Sequence, residues 1–264
     1  MGREGTYDVA GPPGAPALVL VHGTRLSRAA WAPQVARLAG DFRVVVPDLP
    51  GHGALADVRF TLAGAADSLA EVIDEAAGGR AIIVGHSLGG YVAMELAARS
   101  PERVRGLVLA GASREPVGPW SLPYLWLALI LRIGDRPALG GLNARFFRWR
   151  FGPAMSEPLV AGGFWPRGGA TALGALMGER FLPRLARYPG PTLILNGALD
   201  PLFRLGERAF LAAAQDGRRE VIPRATHLLN LDRPAAFSES VRRFAAGVAA
   251  DPAADPAADP DRMP

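Results

Sequence analysis

Short apolar runs alternate with longer amphipathic stretches along most of the chain. Residues 17–21, 42–46, 81–84, 104–109 and 191–195 are continuous apolar segments rich in β-branched side chains. They lack the period-two alternation of a strand that keeps one face in water, and so predict parallel strands covered on both faces. A shorter strand is expected at residues 220–222. Between these runs the period lengthens. Residues 31–38 read as a helix, and residues 62–76 place Leu62, Ala66, Leu69, Val72, Ile73 and Ala76 on one stripe. Residues 90–99 form a third helical segment rich in small side chains. Late in the chain Phe237, Val241, Phe244 and Val248 recur at helical spacing behind Pro234, which suits a first helical turn. This alternation predicts an α/β fold with a doubly wound, mostly parallel sheet.

The rhythm fails between residues 114 and 183, where no strand is evident and four of the five tryptophans lie: Trp120, Trp126, Trp149 and Trp165. That stretch is expected to be a helical insertion. The expected division is a core at 1–113, the insertion at 114–183, a second part of the core at 184–248, and a tail at 249–264. The tail repeats Asp-Pro-Ala-Ala and has the composition of a disordered terminus.

Composition narrows the function. The chain has 264 residues, 49% hydrophobic and 20% charged, with apolar mass enough for a large core. It has no cysteine and four histidines, so disulfides and thiolate metal sites are excluded and a histidine-rich metal centre is not expected. Arginine carries all the positive charge, there being no lysine, and the net charge is +4. The pI of 10.2 reflects arginine's high pKa. No basic run marks a nucleic-acid face. The Gly/Pro-rich start has no apolar core of a signal peptide, so the protein is expected to be cytoplasmic. Gly2 and Thr6 fit the loose myristoylation pattern.

Candidate chemistry begins at Gly85-His86-Ser87-Leu88-Gly89, which follows a predicted strand and precedes a predicted helix. This is the G-x-S-x-G pattern in the setting it requires. A sharp strand-to-helix turn holds the serine in a strained conformation with its hydroxyl clear of the backbone. Only small residues fit two positions to either side, and Gly90 permits further close packing. Ser87 is the expected nucleophile.

With this elbow the sequence resembles the α/β-hydrolase superfamily. The resemblance runs from about Ala17 to Gly247 and includes Val-His-Gly-Thr at 21–24, Pro-Asp-Leu-Pro-Gly-His-Gly at 47–53, Asn-Gly-Ala-Leu-Asp-Pro at 196–201, and Ala-Thr-His-Leu-Leu-Asn-Leu-Asp-Arg-Pro at 225–234. A tetrahedral oxyanion needs fixed N–H donors. The residue after the nucleophile supplies one, which assigns Leu88. The resemblance implies Thr24, after His22-Gly23, as the second, with Arg25 as a substitute. It also implies that Asp48 and His52 shape a loop.

His22, His52 and His86 belong to these loops and to the elbow. His227 is therefore the expected base, on a loop after the last predicted strand. The chain order Ser, acid, His places the acid between 87 and 227. Asp200 is the expected residue, with Glu115 as the alternative, and Asp232 is assigned to the last helix's cap.

The resemblance implies that the insertion is a lid shaping the substrate pocket. Residues 120–133 are apolar nearly all round, but fourteen residues are too few to span a bilayer comfortably. Residues 143–151 interleave Phe146, Phe147, Trp149 and Phe151 with Arg145, Arg148 and Arg150. Residues 114–184 carry nine arginines against four acids. Either the aromatics are lid core with arginines in water, or Trp126 and Phe147 line an apolar acyl pocket with a basic rim or a surface that meets anionic lipid. The expected activity is hydrolysis of an ester or related acyl compound through an acyl-Ser87 intermediate, with a small apolar substrate, no cofactor, no metal, no nucleic acid and no stable membrane insertion. Thioester, lactone or carbon–carbon bond hydrolysis and perhydrolysis would use the same residues. A binding protein on the same fold is the non-enzymatic alternative. Dehalogenase and epoxide hydrolase relatives place aspartate at the elbow, which disfavours those reactions here.

Overall fold

The computed structural model describes residues 5–134 and 140–250. Seven strands are present: β1 (Tyr7–Ala10), β2 (Ala17–Val21), β3 (Arg43–Pro47), β4 (Ala81–His86), β5 (Val104–Ala110), β6 (Pro191–Gly197) and β7 (Asp216–Ile222). They form one sheet in the order β1-β3-β2-β4-β5-β6-β7. Only the β1–β3 pair is antiparallel. The apolar runs are continuous because both faces are covered. In β2, Val19 and Val21 enter one core cluster while Leu18 and Leu20 enter the other, and β4 divides in the same way between Ile83 and Ile82.

The helices are α1 (Ala32–Leu38), α2 (Leu62–Ala76), α3 (Leu88–Arg99), α4 (Leu122–Gly134), α5 (Gly140–Phe151), α6 (Pro153–Ala161), α7 (Pro166–Leu176), α8 (Leu182–Arg187), α9 (Pro201–Arg204), α10 (Glu207–Ala213), α11 (Leu229–Asp232) and α12 (Pro234–Ala250). Helices α2 and α3 cover one face of the sheet, and α1 and α12 the other. Thr61 caps α2 by accepting a 3.0 Å bond from the Gly64 N–H.

Four helices, α4–α7, fill the stretch in which no strand was expected. Helix α4 packs on α7, and α5 on α6. The expected boundary at 183 falls inside α8, which packs against α3 and α10 beside the sheet. Ala249 and Ala250 close α12, so the tail expected from 249 begins inside a helix. Residues 251–264, Gly2, and Asp135 and Arg136 of the insertion's charge count lie outside the described residues. No helix among the described residues is long and apolar enough to cross a membrane.

The sheet places the elbow. Strand β4 lies between β2 and β5, and α3 returns directly across β2, so closely that a Cβ on Gly89 would lie 2.2 Å from the Val21 carbonyl oxygen. Gly89→Ala is therefore expected to destabilise the fold by about 1–3 kcal/mol, the usual cost of overpacking. A urea midpoint equal to that of the wild type would show that helix and strand separate freely.

Candidate active site

Ser87 joins β4 to α3 at φ 51° and ψ −114°, in the left-handed half of backbone space that a residue with a Cβ rarely adopts. Its N–H donates to the Ala110 carbonyl (2.8 Å) at the end of β5, and its own carbonyl accepts from Gly90 N–H (2.9 Å). The side chain is left at the mouth of a cavity, beside the N-terminus of the twelve-residue α3.

Two loops at the same edge of the sheet complete a hydrogen-bonded chain. Asp200 follows β6 and His227 follows β7. The Ser87 hydroxyl donates to His227 Nε2 (3.0 Å), and His227 Nδ1–H donates to Asp200 Oδ2 (2.8 Å). The acceptor-only carboxylate fixes this tautomer. The Asp200 side chain is 5% exposed and that of His227 36%, so the pair is buried at the acid and partly open at the imidazole. The loops hold each other through Leu199 N–H to Ala225 O (2.8 Å) and Ala198 N–H to Ile222 O (2.9 Å).

Several side chains that fix His227 carried no clear signal in the sequence. Phe203 stacks on its ring at 4.7 Å between centroids. Gly111, at φ 59°, brings the backbone so near that a Cβ would lie 3.0 Å from the imidazole. A glycine directly after a predicted strand was the one available hint. His86 Nε2–H donates to the His227 carbonyl (2.8 Å), which makes the elbow histidine a support for its neighbour.

Asp232, assigned from sequence to the last helix's cap, instead ends α11 and turns back on the loop. It accepts from Thr226 N–H (2.7 Å) and Thr226 Oγ–H (2.5 Å) and pairs with Arg150 of α5. Glu115, the alternative acid, accepts from the N–H groups of Phe181 and Leu182 (2.7 Å each) and so anchors the start of α8, away from His227.

The loop after β2 is held by two more histidines. His22 Nδ1–H donates to Gly23 O (2.8 Å) and its Nε2 accepts from Leu49 N–H (3.0 Å). His52 Nδ1–H donates to Pro50 O (3.0 Å) and its Nε2 accepts from Arg25 N–H (3.2 Å). Each ring needs one bare nitrogen, hence a neutral imidazole. Burial pushes His22 down to about 4, and pushes His52 and His86 down to about 3, with a neighbouring histidine adding to the last two. Asp48 accepts from Arg28 N–H (2.8 Å), the Arg28 guanidinium (2.6 Å) and Ala54 N–H (2.9 Å). Thus Asp48 and His52 brace the loop, as expected. The Arg25 N–H is already engaged, while Thr24 lies beside Ser87 on the cavity wall.

The cavity has a volume of about 330 Å³, at the small end for a ligand site. Ser87, His227 and Asp200 lie on one side of it. Pro123, Leu127, Ile130 and Leu131 of α4, with Leu173 of α7, form much of the rest. Tyr124 also faces it, and shares a 2.6 Å hydrogen bond with Tyr91, whose hydroxyl donates to the Arg114 carbonyl. Neither Trp126 nor Phe147 is on this wall. The cavity-lining residues of α4 are Pro123, Tyr124, Leu127, Ile130 and Leu131, and Trp126, at the edge of that stripe, is 64% exposed. Phe147 is fully buried among Leu26, Ala30, Leu159 and Leu231 and stacks on Phe151 and Phe164. Among the described residues no three acidic or histidine side chains gather as a metal site requires.

A serine bonded through histidine to aspartate, at the carboxyl edge of a mostly parallel sheet, is the arrangement of an α/β-hydrolase fold with a serine nucleophile. The profile of the alpha/beta hydrolase family matches residues 18–240, and the chain belongs to that family. The pimeloyl-(acyl-carrier protein) methyl ester esterase of Nitrosospira multiformis is 27% identical over 258 residues, 87% of this chain and 94% of that protein. The enzyme of the same name from Nitrosomonas europaea is 38% identical over 120 residues, 44% of this chain and 46% of that protein, so this match spans less than half the relative's length. A solved thermophilic esterase from Thermogutta terrifontis superposes with a TM-score of 0.75 at 26% identity, covering 92% of this chain and 93% of that one. The ester-hydrolase class expected from the sequence is the class of these relatives.

The three buried histidines give a pH test. Their folded pKa values lie below the unfolded value of about 6.5, so below that pH the unfolded chain binds protons that the folded chain does not. Stability is then fully present above about pH 6.5 and falls with pH, by up to about 1.4 kcal/mol per unit for each histidine. Urea unfolding free energies should drop steeply between about pH 6.5 and about pH 5. A flat profile over that interval would contradict neutral burial.

Proposed function

We propose that the protein hydrolyses an ester of a small, largely apolar acyl group through an acyl-Ser87 intermediate. The observation that carries this reading is the unbroken hydrogen-bond chain from Ser87 through His227 to Asp200 at the cavity wall. Ser87 Oγ attacks the ester carbonyl while its proton passes to His227 Nε2, and Asp200 stabilises the imidazolium. The oxyanion is received by the backbone N–H groups of Leu88 and Thr24. Leu88 opens α3 directly behind the nucleophile, and Thr24 lies on the cavity wall. Breaking the acyl C–O bond releases the alcohol, which takes the proton from His227. Water then attacks the acyl-enzyme, giving its proton to the same nitrogen. Ser87 is regenerated as the carboxylic acid leaves. In this reading α4 and α7 act as the lid, and their leucine and isoleucine side chains exclude water from the acyl group.

Ser87→Ala is expected to keep the fold and lower hydrolysis of 4-nitrophenyl butyrate by at least about a thousandfold, with loss of fluorophosphonate labelling. Asp200→Asn is expected to cost about a hundredfold to ten-thousandfold in kcat, whereas Glu115→Gln stays near wild type because the amide oxygen still accepts from α8. The reverse order for the two acid variants would move the acid to Glu115.

The roof gives a second expectation. Each methylene buried contributes about 0.8 kcal/mol, or about fourfold, so kcat/KM should rise from 4-nitrophenyl acetate to the hexanoate. Leu127→Ala and Leu131→Ala should flatten that rise while Ser87 still labels with a small phosphonate. A series in which acetate is the best substrate and neither variant matters would remove the acyl group from beneath α4.

A further inference from the structure

Arg25 is a cation on the wall of the same cavity as Ser87 and His227. Its backbone is fixed on both sides. The N–H donates to His52 (3.2 Å), and the carbonyl accepts from Trp165 N–H (2.8 Å). Its φ of 57° sets the side chain's departure from the loop. One guanidinium nitrogen donates to the neutral Asn143 Oδ1 (2.7 Å), and the group lies 5.6 Å from the Phe147 ring centroid. By contrast, Arg28 pairs with Asp48, and Arg150 with Asp232. Arg25 forms no ion pair among the described residues, and burial alone pulls its pKa down, with no neighbouring carboxylate to raise it. A part-buried cation whose own fold supplies only an amide oxygen and a ring face is under-compensated. The remaining donors of a guanidinium fork match a carboxylate.

We propose that Arg25 is an anion subsite that holds a carboxylate at the far end of the acyl chain, so that the substrate is a half-ester of a dicarboxylic acid with an apolar spacer. This rests on the ester-hydrolase reading above. The spacer lies against Leu26, Leu131 and Leu173, which share the cavity wall with Arg25. The loop backbone at Arg25 packs close to Leu131 of α4, since a single Cβ added at Gly169 would meet the Arg25 backbone nitrogen at 2.9 Å and Leu131 Cδ1 at 3.1 Å. The acyl part stays bound while the alcohol departs, so the inner wall is where an acyl-borne anion belongs.

The test compares kcat/KM for mono-4-nitrophenyl adipate with that for 4-nitrophenyl hexanoate, which has the same acyl length and no charge. The full-length protein should prefer the adipate by at least about tenfold, the scale of one charge-assisted hydrogen bond. Arg25→Met should bring the ratio to about one or below, and Arg25→Lys should restore part of it. A residue that merely ties the loop to α5 would move both substrates together and leave their ratio alone. Fluorophosphonate labelling separates the two readings. A protein that labels at Ser87 and shows no adipate preference, or keeps its preference in Arg25→Met, overturns the anion subsite alone. A protein that neither labels nor cleaves either ester overturns the hydrolase reading together with it.

Discussion

Ser87 sits at φ 51° and ψ −114°, a conformation that costs on the order of 1–3 kcal/mol for a residue bearing a Cβ. It persists because the surroundings leave the chain no alternative. The Ser87 N–H is held by β5, its carbonyl is the first acceptor of α3, and β2 crosses too near to let the helix start elsewhere. The order of strands follows from the same demand. With β4 central, the loops after β2, β5, β6 and β7 emerge on one edge around the serine. They bring in Gly23–Thr24, Gly111, Asp200 and His227 respectively. A parallel sheet is needed for this, because only parallel strands send successive loops out on the same side.

The four histidines divide the electrostatic work unevenly. Three are buried and neutral, and each uses one nitrogen to donate to a backbone carbonyl: His22 to Gly23, His52 to Pro50, His86 to His227. Protonating His22 or His52 would destroy an acceptor that holds the loop after β2, so burial and function pull the same way. His227 alone keeps a substantial exposed surface and has a carboxylate behind it. Identical side chains thus differ in what stands opposite: a backbone carbonyl for His22, His52 and His86, and a carboxylate for His227. The neutral His86 ring lies 5.1 Å from that of His227.

How much was readable in advance tracks how locally each feature is encoded. Strands buried on both faces write themselves as apolar runs, so β2 through β6 are legible in the sequence to within two residues at each end. Only the last three residues of β7 read as a strand, because Asp216–Ile222 is a polar edge strand whose Arg218 and Arg219 are exposed. Strand β1, four residues at the antiparallel edge, carries no continuous apolar run. The Ser87–His227–Asp200 contact was legible because motif order constrains it. The supports were not. Phe203 on His227, Asp232 on Thr226 and Glu115 on α8 all depend on which loops meet in space. Trp126 and Phe147 failed as pocket residues because composition reveals that a helix is apolar and not which way it is rotated. On α4, Leu127 and Ile130 line the cavity, and Trp126 beside them on the helix does not.

The insertion divides by what its side chains grip. Helices α5 and α6 are bound to the frame. Phe147 and Leu159 share a core with Leu26, Ala30 and Leu231, Asn143 accepts from Arg25, and Arg150 pairs with an Asp232 whose side chain is 2% exposed. Removing one partner of a pair that is buried on the acid side leaves an uncompensated charge, so α5 is coupled to the loop carrying His227 through Asp232 and Thr226. Helix α4 is tied to the main core through its inner face, with Tyr124 bonded to Tyr91. Tyr124, Ala128 and Leu131 are its buried side chains, and Leu122, Leu125, Trp126, Leu129 and Ile133 face outward. The side of the insertion carrying Asn143 is thereby fixed relative to Ser87, and the apolar roof is laid across it. An under-compensated cation can be tolerated at Arg25 because it stands on the fixed side. There its loop, its amide partner and the ring beneath it are each held by independent contacts, and the geometry offered to a bound anion does not depend on the anion to form.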